Sequence, residues 1–192
     1  MRHLMALAVA LLTAFPAMAV EMGDDGLHKP DWLRDTFKDL REDLDEANAE
    51  GKRLLLSVEQ RGCIYCTKMH TEVYPTPEID SYIREHFFVV QINLHGDTEV
   101  TDLDGEVLSE KDAARRWNVM FTPTLMFLPE EVPEGDTAAE AAVAVMPGAF
   151  GPGTTLDMLT WVAEKRYLTE DEEDFQRYHA RRTMERDNGK TD

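Results

Sequence analysis

The chain has 192 residues, 43% of them hydrophobic, which is enough for one domain with a real core and cramped for two. Its 38 acidic and 20 basic side chains leave a formal net charge of −18. That argues strongly against nucleic-acid binding, which rests on Lys and Arg neutralising phosphates, and against docking on anionic lipid. The two cysteines, Cys63 and Cys66, can serve one site, and no third is left for a separate disulfide.

Residues 1–19 read as a secretory signal peptide. Arg2 and His3 precede a nearly all-apolar run over 4–15, and Ala17-Met18-Ala19 has the small-x-small form of a cleavage site. The run is shorter than the roughly 20 apolar residues a membrane span needs. The competing reading is a buried N-terminal helix. Export implies a mature protein not inserted in the membrane, periplasmic in a Gram-negative bacterium.

Residues 20–30 are polar, with Gly23, Gly26 and Pro30, and predict a flexible leader ahead of a domain over 31–167. Asp31 is a candidate cap for a helix whose stripe is Leu33, Phe37, Leu40, Leu44 and Ala47, stopped by Gly51. Leu54-Leu55-Leu56-Ser57-Val58 suits a short buried strand. Gly62 breaks the pattern, and Cys63-Ile64-Tyr65-Cys66 opens a helix expected over 63–74, with Met69 and Val73 turned inward. Pro75 and Pro77 punctuate it, a further helix covers 77–85, and residues 87–94 form a strand.

Residues 95–110 carry no Lys or Arg, and Asp104-Gly105 between Val100 and Val107 reads as a hairpin turn. A calcium loop fails here. Aligning Asp102, Asp104 and Gly105 on loop positions 3, 5 and 6 puts Val100 and Lys111 where acidic residues belong. Ser109 and Asp112 start a helix through Trp117. Phe121-Thr122-Pro123-Thr124 precedes a strand over 125–128. An acidic turn region spans 129–140, a last strand 142–146. Thr154 or Thr155 caps a helix holding Leu156, Leu159, Val162 and Ala163. The charged extension over 168–192 contains an amphipathic stretch, 175–184, that either packs as an extra helix or stays mobile. Strands alternating with helices, then a hairpin, imply an α/β sandwich with a mixed sheet.

A Cys-x-x-Cys pair after a buried strand, at the start of a helix, is a specific signal in an exported protein. Residues three apart on a helical turn face one side, so the two sulfurs can bond. At the helix N-terminus a thiolate meets unsatisfied N–H groups, which lowers its pKa, and Arg61 can add to this. Cys63 is therefore the expected nucleophile and Cys66 the resolving thiol. A purely structural disulfide is poorly placed, because so small a loop gains little from closure. A metal set of Cys63, Cys66 and His70, with His95 as a fourth ligand, lacks the second cysteine pair of the common zinc sites. Haem attachment needs His at position 67, which is Thr67. By spacing alone, Pro123 is a trans proline ahead of a strand. A cis bond would turn the Thr122 backbone toward the cysteines, ready to pair with an extended substrate.

Strand, Cys-x-x-Cys, helix, then Thr-Pro before a β-hairpin and a final helix resembles the thioredoxin superfamily over about residues 33–166. The stretch from Val58 through Glu59, Gly62, Cys63, Cys66 and Met69 to His70 is most similar to periplasmic thioredoxins of bacterial sulfur-oxidation operons, the SoxW type. The resemblance implies a three-layer α/β/α sandwich and a cis Thr122-Pro123 substrate platform. It also implies no cofactor beyond the redox-active Cys63–Cys66 disulfide. Electrons would come from a membrane thiol transporter of the DsbD/CcdA kind. Clients would be protein disulfides, on a sulfur-carrier protein or apocytochrome c. The direction is reductive, with a DsbA-like oxidase or a non-enzymatic metal-binding module as alternatives. Ile64 and Tyr65 replace the familiar Gly-Pro and shape the partner surface. Gly62 stands where a Trp precedes the first cysteine, and Ser57 where a buried Asp assists the second. Glu59, on the same strand face as Ser57, is the candidate substitute for proton transfer. His70 reads as a helix-surface residue.

Overall fold

The computed structural model describes residues 20–168 and 173–189. The expected signal peptide lies outside the described residues. Among those described, no helix is long and apolar enough to cross a membrane.

Where a leader was expected, β1 (Glu21–Met22) and β2 (His28–Lys29) form an antiparallel hairpin. Gly26, at φ +76°, makes the turn. Leu27 is buried, and the Gln91 side chain donates to the His28 carbonyl at 2.9 Å. Lys29 Nζ donates in turn to Gln91 Oε1 at 2.6 Å, so buried Leu27 and two bonds to one side chain hold a segment whose composition reads as linker.

The first helix, α1 (Leu40–Ala49), is shorter than its apolar stripe. Lys38 adopts φ +58°, and Asp39, not Asp31, caps the helix by accepting from the Arg41 and Glu42 amides. Leu33 bridges to Val89 in extended form, and Phe37 is 96% exposed. Only Leu40, Leu44 and Ala47 act as the buried stripe.

The four-stranded sheet has the order β4 (Phe87–Asn93), β3 (Arg53–Glu59), β7 (Thr124–Phe127), β8 (Ala144–Pro147). The β3–β4 pair is parallel and the other two are antiparallel. Beside the sheet, β5 (Glu99–Thr101) and β6 (Val107–Ser109) form the hairpin around Asp104-Gly105. Ser109 caps α4 (Glu110–Arg116). Within the expected turn region lies a four-residue helix, α5 (Ala138–Ala141), closed by a capping box between Thr137 and Glu140.

Every residue of β3 is buried, and its alternation sorts the layers. Leu54, Leu56 and Val58 pack with Leu40 and Leu44 of α1, Ala113 and Ala114 of α4, and Ala138 of α5. Leu55 packs on the other side with Met69, Ile79, Ile83, Leu159 and Val162. Ser57 and Glu59 share that second face by register. Each Leu or Val buried here contributes roughly 1.5–3 kcal/mol, so a one-residue slip that exchanged the two faces is excluded. The result is a central mixed sheet flanked by helices, an α/β sandwich.

The second layer also holds α3 (Pro77–His86), α6 (Pro152–Ala163) and α7 (Phe175–Asn188). Gly151 and Pro152 start α6, in place of the expected Thr154 or Thr155. Within the C-terminal extension, α7 packs against α6. Buried Asp157 of α6 takes the Arg186 guanidinium at 2.7 and 2.9 Å and lies 2.6 Å from the His179 ring.

Candidate active site

The loop leaving β3 ends at Gly62, whose φ of +73° favours glycine; open space surrounds its Cβ direction. Cys63 follows as the N-cap of α2 (Ile64–Lys68), and its Sγ accepts the Cys66 amide at 2.9 Å. The helix expected over 63–74 changes character after one turn. From Met69 to Val73 it is π-helical, closed by the Tyr74 amide donating to the Met69 carbonyl at 2.8 Å.

Cys63 and Cys66 form a disulfide. Cys63 is 7% exposed and Cys66 1%, so the first sulfur is the outer one. The Thr122–Pro123 bond is cis, against the trans form that spacing alone suggested. The Thr122 hydroxyl donates to Cys63 Sγ at 3.3 Å, and the Thr122 carbonyl oxygen lies 3.5 Å from the same sulfur. Ile64 and Tyr65 are exposed beside it, as are Met120 and Phe121. These four residues line a depression of about 290 Å³ with Cys63 and Thr122. Sequence reasoning missed Met120 and Phe121 as site residues. Two adjacent apolar side chains belonging to no periodic element, just ahead of Thr-Pro, were the available signal.

A polar cluster lies in the buried layer on the Glu59 face of β3. The Ser57 hydroxyl donates to Glu59 Oε1 at 3.0 Å, and His70 Nε2 lies 3.0 and 3.2 Å from the two Glu59 oxygens. Glu59 and His70 are each 1% exposed. His70 is therefore no surface residue. It follows Cys66 by four positions, which places it on the inward side of the turn. Its ring stacks on His28 at 4.5 Å and meets the Tyr74 ring edge-on. Burial, then the neighbouring Glu59, raises the Tyr74 phenol far above its usual range. Burial, then His70, lowers the His28 imidazole. The metal set of Cys63, Cys66, His70 and His95 is not assembled. Both sulfurs are in the disulfide, and His95 pairs with Gln60 at 3.1 Å near the surface.

A family model described as a thioredoxin-like domain matches residues 40–149, from α1 past the cis proline to the end of β8. The chain belongs to the thioredoxin-like family. No curated protein matches the sequence. Among solved structures it is similar to a thioredoxin-fold protein from Helicobacter pylori. That match has 22% identity, 69% of this chain and 85% of that one covered, and a TM-score of 0.56. It is also similar to a thioredoxin from Thermus thermophilus, at 23% identity, 66% and 85% coverage and a TM-score of 0.51. Identities this low establish the shared fold. A thioredoxin-like fold carrying a Cys63–Cys66 pair points to thiol–disulfide oxidoreductase chemistry.

Proposed function

We propose that this protein is an exported thiol–disulfide oxidoreductase that reduces protein disulfides in the periplasm. The observation that carries the reading is the setting of Cys63. The outer sulfur of the pair accepts the Cys66 amide and the Thr122 hydroxyl and borders an exposed apolar depression. Hydrogen bonds donated to sulfur favour the thiolate, the nucleophilic form.

In the reduced protein the Cys63 thiolate attacks one sulfur of a partner disulfide. That bond breaks, and the other partner sulfur leaves and takes a proton. Cys66 then attacks Cys63 in the mixed disulfide and releases the second partner thiol. Two electrons pass to the partner, and the chain ends as the Cys63–Cys66 disulfide. The redox-active disulfide is the only group this reaction needs. Ile64, Tyr65, Thr122 and Pro123 form the substrate platform, where the Thr122 backbone pairs with an extended partner segment. Glu59 takes the proton that Cys66 must lose, in place of the acid missing at Ser57.

Re-reduction requires a donor of two electrons. The resemblance of residues 58–70 to SoxW-type thioredoxins supports a membrane thiol transporter of the DsbD/CcdA kind. It equally supports a sulfur-carrier protein or apocytochrome c as client. The apolar run over 4–15 supports export.

Equilibration of the oxidised protein in thiol redox buffers, with alkylation trapping, tests the direction. A potential near −270 mV, roughly that of thioredoxin, is expected together with reduction of insulin. A value near −120 mV, about that of DsbA, would make the protein an oxidant and overturn the reading.

A further inference from the structure

Three side chains from three elements meet in the buried layer: His28 on β2, Glu59 at the end of β3 and His70 in the π turn. Their ligand-type atoms all lie within 4.8 Å of one another. Two imidazoles suit divalent ions of the zinc, nickel and copper group better than calcium or magnesium, and a carboxylate on the far nitrogen of one ring fixes its tautomer.

The hydrogen bonding of this cluster is incomplete. Among the described residues no Lys or Arg pairs with Glu59, whose side-chain partners are the Ser57 hydroxyl and His70. His70 Nδ1 is buried with no hydrogen-bond partner. An imidazolium would carry a second N–H, at Nδ1, into a dry interior without an acceptor. A neutral ring donating from Nε2 leaves a bare lone pair at Nδ1 and no cation for a buried carboxylate. A divalent ion meets both needs. It takes the Nδ1 lone pair while Glu59 holds Nε2–H, the carboxylate–histidine pairing that fixes a metal-binding tautomer. A cavity of about 580 Å³, lined by Trp32, His70 and Tyr74 among others, borders the His70 side chain.

We propose that His28 and His70 ligate a divalent transition-metal ion, with Glu59 positioning the His70 ring, at a site separate from the dithiol. The His28 and His70 rings stack nearly parallel, at 12°, and parallel rings cannot aim two lone pairs at one ion. His28 is the partner that turns. It is partly exposed and sits on a two-residue strand, whereas His70 and Glu59 are enclosed.

The test is calorimetric titration of the full oxidised chain with Zn²⁺ alone. A salt concentration of about 0.5 M screens the diffuse attraction of an acidic surface. One ion per chain is expected, with affinity falling at least about tenfold in His28→Ala and in Glu59→Gln. Binding should persist in the Cys63→Ser, Cys66→Ser double variant. His28→Ala truncates a partly exposed side chain and so keeps the test valid if a change at a buried position prevents folding. Absence of binding, several ions per chain, or an affinity untouched by His28→Ala would overturn the proposal. Its failure would leave the dithiol reading intact, because the titration involves no thiol.

Discussion

Asp102 and Glu59 are both buried carboxylates, yet the chain surrounds them differently. Oδ1 of Asp102 accepts the amides of Leu103 and Ala138 at 2.8 and 2.9 Å. Its Oδ2 accepts Trp117 Nε1 at 2.9 Å and Arg116 at 3.0 Å. Those donors come from the β5–β6 turn, the end of α4 and the start of α5, so one side chain joins three short elements that have little core of their own. Glu59 has the Ser57 hydroxyl and one histidine ring nitrogen. A carboxylate saturated with donors holds a fold together, whereas one with free capacity can exchange a proton or take an ion. Glu59 is of the second kind.

Removing Asp102 should have the largest effect. Asp102→Ala leaves two amides, an indole N–H and part of a guanidinium unmatched, and should lose about 3 kcal/mol in urea unfolding. The exchange rate per folded molecule should stay unchanged. A loss under about 1 kcal/mol would erase the contrast with Glu59.

Asp43 offers an intermediate case. It is buried on α1, and its side-chain donor is the Thr36 hydroxyl at 3.2 Å. Burial dominates and pushes its pKa up to about 6 from 3.8. The folded state then holds this proton more tightly than the unfolded chain does. Its contribution is therefore complete below about pH 4 and is lost as pH rises through about 6, by roughly 3 kcal/mol. Asp43→Asn should flatten that part of the stability–pH curve and raise stability at pH 7, as read by thermal melts at several pH values.

Glu59→Gln keeps the shape of the cluster and should change unfolding free energy little. It should slow insulin reduction about tenfold near neutral pH and flatten the pH–rate profile. An unaltered profile would remove Glu59 from proton transfer. The smallest effect belongs to Arg186, whose partly exposed guanidinium faces Asp157. Arg186→Ala should cost roughly 0.5 kcal/mol, diminishing with added salt. Limited proteolysis of α7 is the sensitive measurement.

Much of this was legible in the chain itself. The apolar runs at 54–56 in β3 and 87–90 in β4, a cysteine pair at a helix start and a hairpin at Asp104-Gly105 are local patterns with few alternative solutions. What escaped depends on contacts distant in sequence or on single dihedral angles. The stripe from Leu33 to Ala47 reads as one helix, because nothing in side-chain spacing reveals that Lys38 turns left-handed. The hairpin of β1 and β2 depends on Gln91, more than sixty positions away. The cis bond before Pro123 follows from no spacing rule. His70 is the instructive miss. Its position four after Cys66 placed it inward, but a polar ring is assigned to the surface until a buried partner is known, and Glu59 becomes that partner only when β3 and the π turn meet.

The exposed collar of Ile64, Tyr65, Met120 and Phe121 surrounds Cys63, the nucleophile of the proposed reaction. Two copies meeting collar to collar would be well placed to join through a disulfide between chains. The formal charge of −18 opposes that encounter, since two such bodies repel as they approach and the repulsion reaches about 8 Å at physiological ionic strength. A less acidic or basic partner is not turned away. The acidity of the surface thus protects the thiol from its own kind, and high salt should weaken that protection first.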